Sequence, residues 1–289
     1  MGQVSPELVE MCERMPAFPA SVQKVLALTS DINSSPKDLV KVIDHDPVLT
    51  MKILKVANSA YFGLSRKILS INHAVVYLGL NTVKHVALAI AAIGSLPREN
   101  NADFDMDDFL LHSLTTAVLT RSLARQLRIP EIQAANFFVT GLLHDIGQVV
   151  YAQFRPDEFG KALLAARETG RPLQELEEEH MGHNHSEVGA VLCETWEFPD
   201  DMVAAIRMHH VPGTGRTGGA IRQCLFVANQ LSARISDPTN APSTLQEDEL
   251  PPWIFRTFGN DFDTIIQSMT GLESDLQQAT SLLQVDSKR

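Results

Sequence analysis

Apolar and polar residues along this chain recur with the 3.6-residue period of amphipathic helices, and no stretch alternates with the period of two expected of a half-buried strand. Helix-start signals are frequent. "SSPKDLVKVI" offers Ser35 as N-cap, Pro36 at the first helical position and Asp38 near the positive end of the dipole. "DPVLTMKILKVANSA" repeats the device with Asp46 and Pro47; Val48, Met51, Leu54 and Ala57 fall at helical spacing and predict its buried face. Ser70 and Gly79 bracket a further helix, and Asn81 is expected to cap an apolar helix running to about Leu96.

The polar stretch "PRENNADFD" (97–105) breaks the pattern and predicts a boundary. A long helix is expected from about Met106 to Leu127, with Leu111, Leu119, Leu123 and Leu127 on one side. Pro130 opens the next helix, which carries His144 and Asp145 near its end. Helices follow over 156–169 and 172–180, from the Asn184 cap, from Pro199 to "HH", and over "AIRQCLFVANQLSARI". "VPGTGRTGG" and "SDPTNAPSTLQEDELPP" read as loop and linker, and the last forty or so residues as short amphipathic helices. The prediction is an all-α, two-lobed helical bundle: a first lobe over 1–97, a second over 105–235 and a C-terminal extension over 251–289. There is no internal repeat, and the phosphate-loop and nucleophile-elbow motifs are absent.

Composition narrows the classes. With 289 residues, 44% hydrophobic and 20% charged, the chain can bury a real core. Its net charge of −11 repels phosphate backbones, which argues against direct DNA binding. Within Val75–Leu96, the longest apolar region, Asn81, Lys84 and His85 leave an uncharged run of only Val86–Leu96, short of the ~20 residues a bilayer needs. Cys12, Cys193 and Cys224 are far apart with no CxxC, and the acidic N-terminus does not read as a signal peptide; both point to a reducing cytoplasm.

The chemistry concentrates in histidine. Six of the ten histidines lie between His144 and His210, and His112 lies one helix upstream. The set His112, His144, Asp145, His185, His209 and His210 has the ligand types that suit Fe, Ni, Zn or Mn. "GLLHDIGQVV" places His144-Asp145 in an apolar segment, where a charge is costly unless paired or metal-bound. Gly189, one turn after His185, allows another backbone to approach closely. His45, His73 and His85 read as structural, while His180 and His183 in "HMGHNH" are weaker ligand candidates. Clusters of this kind also form purely structural hydrogen-bond networks.

A histidine on one helix, "GLLHDIG", then His185 and "HH" at a helix end resemble the HD superfamily of metal-dependent phosphohydrolases, in the layout of its HD-GYP branch. "LVKVIDHDPVLTMKILKVANSAYFG" and "SINHAVVYLGLNTVKHVAL" resemble the first lobe of the HDOD family of bacterial signalling, and the resemblance spans roughly residues 10–235. It implies an HD-like helical core in the second lobe and metal-ligand positions at His112, His144, Asp145, His185, His209 and His210. Three departures stand out: the superfamily's final aspartate falls at Asn229, the lysine after HDIG is Gln148, and "HHVPGTGRTGG" replaces the GYP element.

The resulting expectation is a non-catalytic regulatory module that acts on signalling proteins, with no catalytic residue and with a divalent transition metal as the cofactor the ligand set would hold. Asn58-Ser59 and Tyr61-Phe62-Gly63 mark the candidate partner surface. The alternative is a phosphohydrolase acting on a nucleotide or cyclic dinucleotide, which would draw on Arg121, Arg207, Arg216 or Arg222 to stabilise developing charge.

Overall fold

The computed structural model describes residues 5–15, 24–25, 35–58, 67–95, 100–213, 219–236, 249–269, 271–273 and 276–277. Among these the fold is all helical, with no strand.

The first lobe holds α2 (Pro36–Asp44), α3 (Pro47–Ala57), α4 (Ile71–Leu78) and α5 (Leu80–Ser95). Its starts follow the local chemistry. Ser35 and Asp38 form a capping box, Asp46 Oδ1 accepts from the Val48 and Leu49 amides, and the Ser70 hydroxyl accepts from the His73 amide. Gly79, at φ 83°, ends α4 in a conformation that disfavours a Cβ, and α5 begins at the next residue. Asn81 therefore lies inside the first turn of α5 and is not its cap.

The buried face of α3 is only partly the expected one, for Ala57 is buried and Leu54 half-buried but Val48 and Met51 are not. Val48 and Met51 are 52% and 65% exposed, while Leu49, Ile53, Val56 and Ala57 are buried. This helix carries apolar residues on two stripes, so periodicity fits either one. Packing against α2, α4 and α5 selects the stripe with the larger branched residues.

The second lobe is built on α6 (Met106–Gln126), with Asp105 capping its start. Around it lie α7 (Glu131–Leu143), α8 (Ile146–Phe154), α9 (Pro156–Thr169), α10 (Leu173–Met181), α11 (His185–Thr195), α12 (Asp200–Arg207) and α13 (Gly219–Ser236). Helix α6 packs between α7 and α13 and is buried on most sides. Leu119 and Leu123 are buried as expected, but Leu111 is 36% exposed. Steps of four residues over-rotate by about 40° each, so a long series of them leaves one face.

The N-terminal helix α1 (Pro6–Glu13) lies on the second lobe, against α8 and α11. There the Cys12 thiol donates to the Val188 carbonyl at 3.7 Å, and Glu7 pairs with Arg155. At the other end, α14 (Pro252–Phe258) and α15 (Phe262–Gln267) pack Ile254, Phe258, Phe262 and Ile265 into the same core. Gln126 donates to the Ser268 hydroxyl at 2.6 Å, and the Arg234 guanidinium stands 4.2 Å over the Phe262 ring. These contacts hold the C-terminal helices against the C-terminal ends of α6 and α13.

Cys12, Cys193 and Cys224 are buried free thiols, and burial pushes the Cys12 thiol up to about 12. No helix among the described residues is long and apolar enough to cross a membrane.

Candidate metal centre

Four separate segments of the second lobe bring six side chains together. His112 comes from the second turn of α6. His144 and Asp145 fill the break between α7 and α8 rather than the end of one helix. His185 is the first residue of α11, and His209 and His210 stand in the turn that follows α12.

Asp145 is the hub. Its Oδ1 lies 3.3 Å from His144 Nε2, 3.3 Å from His185 Nε2 and 3.2 Å from His209 Nε2, and its Oδ2 lies 3.5 Å from His112 Nε2. His112 and His144 meet through Nε2 at 3.2 Å, and His185 and His210 through Nε2 at 2.7 Å. The atoms form two groups that share Asp145: Asp145, His185, His209 and His210, and His112, His144 and Asp145. Asp108, one turn before His112, is exposed and outside both groups.

The far side of each ring decides what faces the centre. His144 Nδ1 lies 2.8 Å from the Gly141 carbonyl, and His209 Nδ1 lies 2.6 Å from the Ile206 carbonyl. A carbonyl only accepts, so each Nδ1 carries the proton and a neutral ring points its Nε2 lone pair inward. Ser232, on α13, donates to the His112 carbonyl at 3.3 Å and can accept from His112 Nδ1 at 3.2 Å. His185 Nδ1 lies 2.6 Å from Glu177 Oε2.

Acceptors thus converge on a carboxylate. Buried Asp145 Oδ1 and His209 Nε2 complete no hydrogen bond despite their approach. Burial drives His144 down to about 3, with Asp145 opposing the fall and His209 adding to it. Burial also lowers His112, and it lowers His210 well below the usual imidazole range. Burial works against the Asp145 charge, but His144, His185 and His209 outweigh it and hold the carboxyl well below the usual range. For His185 burial is overcome by Glu177 and Asp145, which lift the ring to about 10. A proton on His185 supplies one positive charge. A divalent ion in either set would satisfy the donors of that set, and imidazole with carboxylate suits a transition metal. The residues fit that group.

The close crossing of α8 and α11 sets His185 against Asp145. A Cβ at Gly147 would stand 2.0 Å from the His185 carbonyl oxygen, and one at Gly189 would stand 3.2 Å from the Gly147 amide nitrogen. The site is not sealed: the His112 side chain keeps 24% of its exposure and His210 is half-buried.

The other candidates lie elsewhere. His183 pairs with Glu187 at 2.8 Å, His180 is exposed, and His85 is buried against Asn136 at 2.8 Å. Arg207 pairs with Glu194 and Arg222 donates to the Val211 carbonyl at 3.1 Å, while Arg121 is buried in α6. Arg216, Ser59, Tyr61, Phe62 and Gly63 lie outside the described residues. Asn58 ties the end of α3 to Ile68 through two contacts of 2.6 Å. The Asn229 side chain hydrogen-bonds His112, so a neutral amide stands where a carboxylate was expected in relatives.

The HDOD domain family matches residues 15–212. This chain belongs to the HDOD family. An uncharacterized protein of Treponema pallidum is 24% identical over 208 residues, covering 72% of this chain and 40% of that protein. The uncharacterized protein YuxH of Bacillus subtilis is 32% identical over 148 residues, covering 48% of this chain and 35% of that protein. The matches thus span well under half the length of these curated relatives. A Shewanella amazonensis structure, provisionally named a phosphohydrolase, superposes with a TM-score of 0.73 at 24% identity, covering 98% of this chain and 100% of that one. An HDOD domain protein of unknown function from Geobacter sulfurreducens gives 0.67 at 22% identity, covering 96% and 97%. At these identities both show that this chain shares their helical fold.

Glu177, Ser232 and Gly147 escaped the sequence reading. Glu177 sits in an acidic run that reads as solvated surface. Its one distinguishing signal is that it shares the buried stripe of α10 with Leu173 and Leu176.

Proposed function

We propose that this HDOD protein is a metal-holding regulatory module that works through contacts with signalling proteins rather than by hydrolysis. The observation that carries the reading is the convergence of imidazole Nε2 atoms on Asp145, with Nδ1 of His144 and His209 anchored to carbonyls. His112, His144, Asp145, His185, His209 and His210 would hold the ion or ions. Such an ion can act as a Lewis acid or acidify bound water, and it also pins together the segments that supply its ligands. Here the pinning role is favoured, because Asn229 puts a neutral amide beside His112 and Gln148 puts no cation after the His-Asp pair. Cytoplasmic location fits the three free buried thiols.

Elemental analysis of untagged protein purified without added metal tests the reading, together with His144→Ala. One or more transition-metal ions per chain, lost in the variant, is the expected result. Folded wild-type protein that neither retains nor takes up metal would overturn it.

A second reading, a phosphohydrolase acting on a nucleotide or cyclic dinucleotide, is favoured by the partial exposure of His112. If it is correct, Asn229→Asp raises phosphate release above the wild type with a divalent metal present. No release from either protein with any such metal would end it.

A further inference from the structure

Glu177 is a carboxylate with 0% exposure, in the middle of α10, and the cluster does not contain it. Its Oε2 accepts from the His185 backbone amide at 2.8 Å and from His185 Nδ1 at 2.6 Å. Its Oε1 is buried with no hydrogen-bond partner. Burying a carboxylate costs several kcal/mol unless something compensates it. A helix cap does not explain the charge. Asn184 Oδ1 already accepts from the Ser186 and Glu187 amides, and a neutral side chain would serve the His185 amide as well.

The centre itself is short of negative charge. It has imidazoles, one carboxylate at Asp145 and a neutral amide at Asn229. We propose that Glu177 is a positioning residue that supplies the missing negative charge to the metal centre from behind His185. It fixes Nδ1 as the protonated nitrogen, aims Nε2 at Asp145 and makes the ring a more strongly donating ligand. The inference rests on the metal reading and deepens it.

The experiment measures zinc affinity by chelator competition for wild type, Glu177→Gln, Asn229→Asp and the double variant. Gln keeps an acceptor for the His185 amide, removes the charge and places an amide NH2 where the unpartnered Oε1 stands. Glu177→Gln is expected to weaken zinc binding by roughly 10–100-fold. Asn229→Asp in the same chain restores the affinity toward wild type. Equal affinity of Glu177→Gln and wild type overturns the proposal, as does a double variant no tighter than Glu177→Gln. Should Glu177→Gln fail to fold, the zinc-loaded wild type still decides by proton NMR: a strongly downfield His185 Nδ1–H resonance is expected, and its absence overturns the assignment. A wild type that binds no zinc or other divalent transition metal instead removes the metal reading itself.

Discussion

Gly147 and His185 meet backbone to backbone where α8 crosses α11, with no room for a single added carbon between them. That contact joins the two segments that carry Asp145 and His185 and makes the proposed metal centre depend on the helix crossing. Gly147→Ala should therefore push the helices apart. Overpacking of this kind costs about 1–3 kcal/mol or more. The expected outcome is a clear fall in melting temperature together with loss of bound metal; unchanged melting and metal content would refute the link.

Ser232 should matter to the site and little to the fold. Its hydroxyl contacts His112 from α13, beside Asn229 on the same helix. Ser232→Ala is expected to lower metal affinity by roughly 10-fold or more. Circular dichroism should remain that of wild type, and chelator competition gives the affinity.

His85, away from the centre, sets a pH dependence. Burial holds its pKa below the usual imidazole value, while the Asn136 side chain opposes the fall. The unfolded chain therefore takes up a proton below about pH 6.5 that the folded chain resists. Stability from this group is complete above that pH and is lost as pH falls toward the folded-state pKa. Denaturant titrations at pH 7.5 and 5.5 should show a smaller loss on acidification in His85→Gln than in wild type. An equal loss in both would exclude His85 as a contributor.

The two faces of α3 should respond oppositely. Met51→Glu, at a position 65% exposed, should change stability by no more than about 0.5 kcal/mol. Ile53→Ala, at 1% exposure, should cost about 2–5 kcal/mol. Denaturant midpoints distinguish this from the reverse order, which the Val48–Met51 stripe alone would predict.

The sequence by itself determined most of the helices and the candidate ligand types. Ser35, Asp46, Ser70, Asp105 and Asn184 act on amides within a few residues, so their caps can be read without any tertiary contact. The six His and Asp candidates were picked out by residue type and by the resemblance to the HD pattern, and the fold brings their side chains together in two groups that share Asp145. Tertiary structure alone decided which stripe of α3 faces inward, since two stripes satisfied the same period. It also decided that Glu177 is buried behind His185 and that Ser232 and Asn229 reach His112 across from α13. Those contacts join segments up to 120 residues apart along the chain. A local pattern records the propensity of each segment but not the partner it will meet: the Gly141 and Ile206 carbonyls, three residues away, set the His144 and His209 tautomers locally, whereas the carboxylate behind His185 and the contacts on His112 come from other helices.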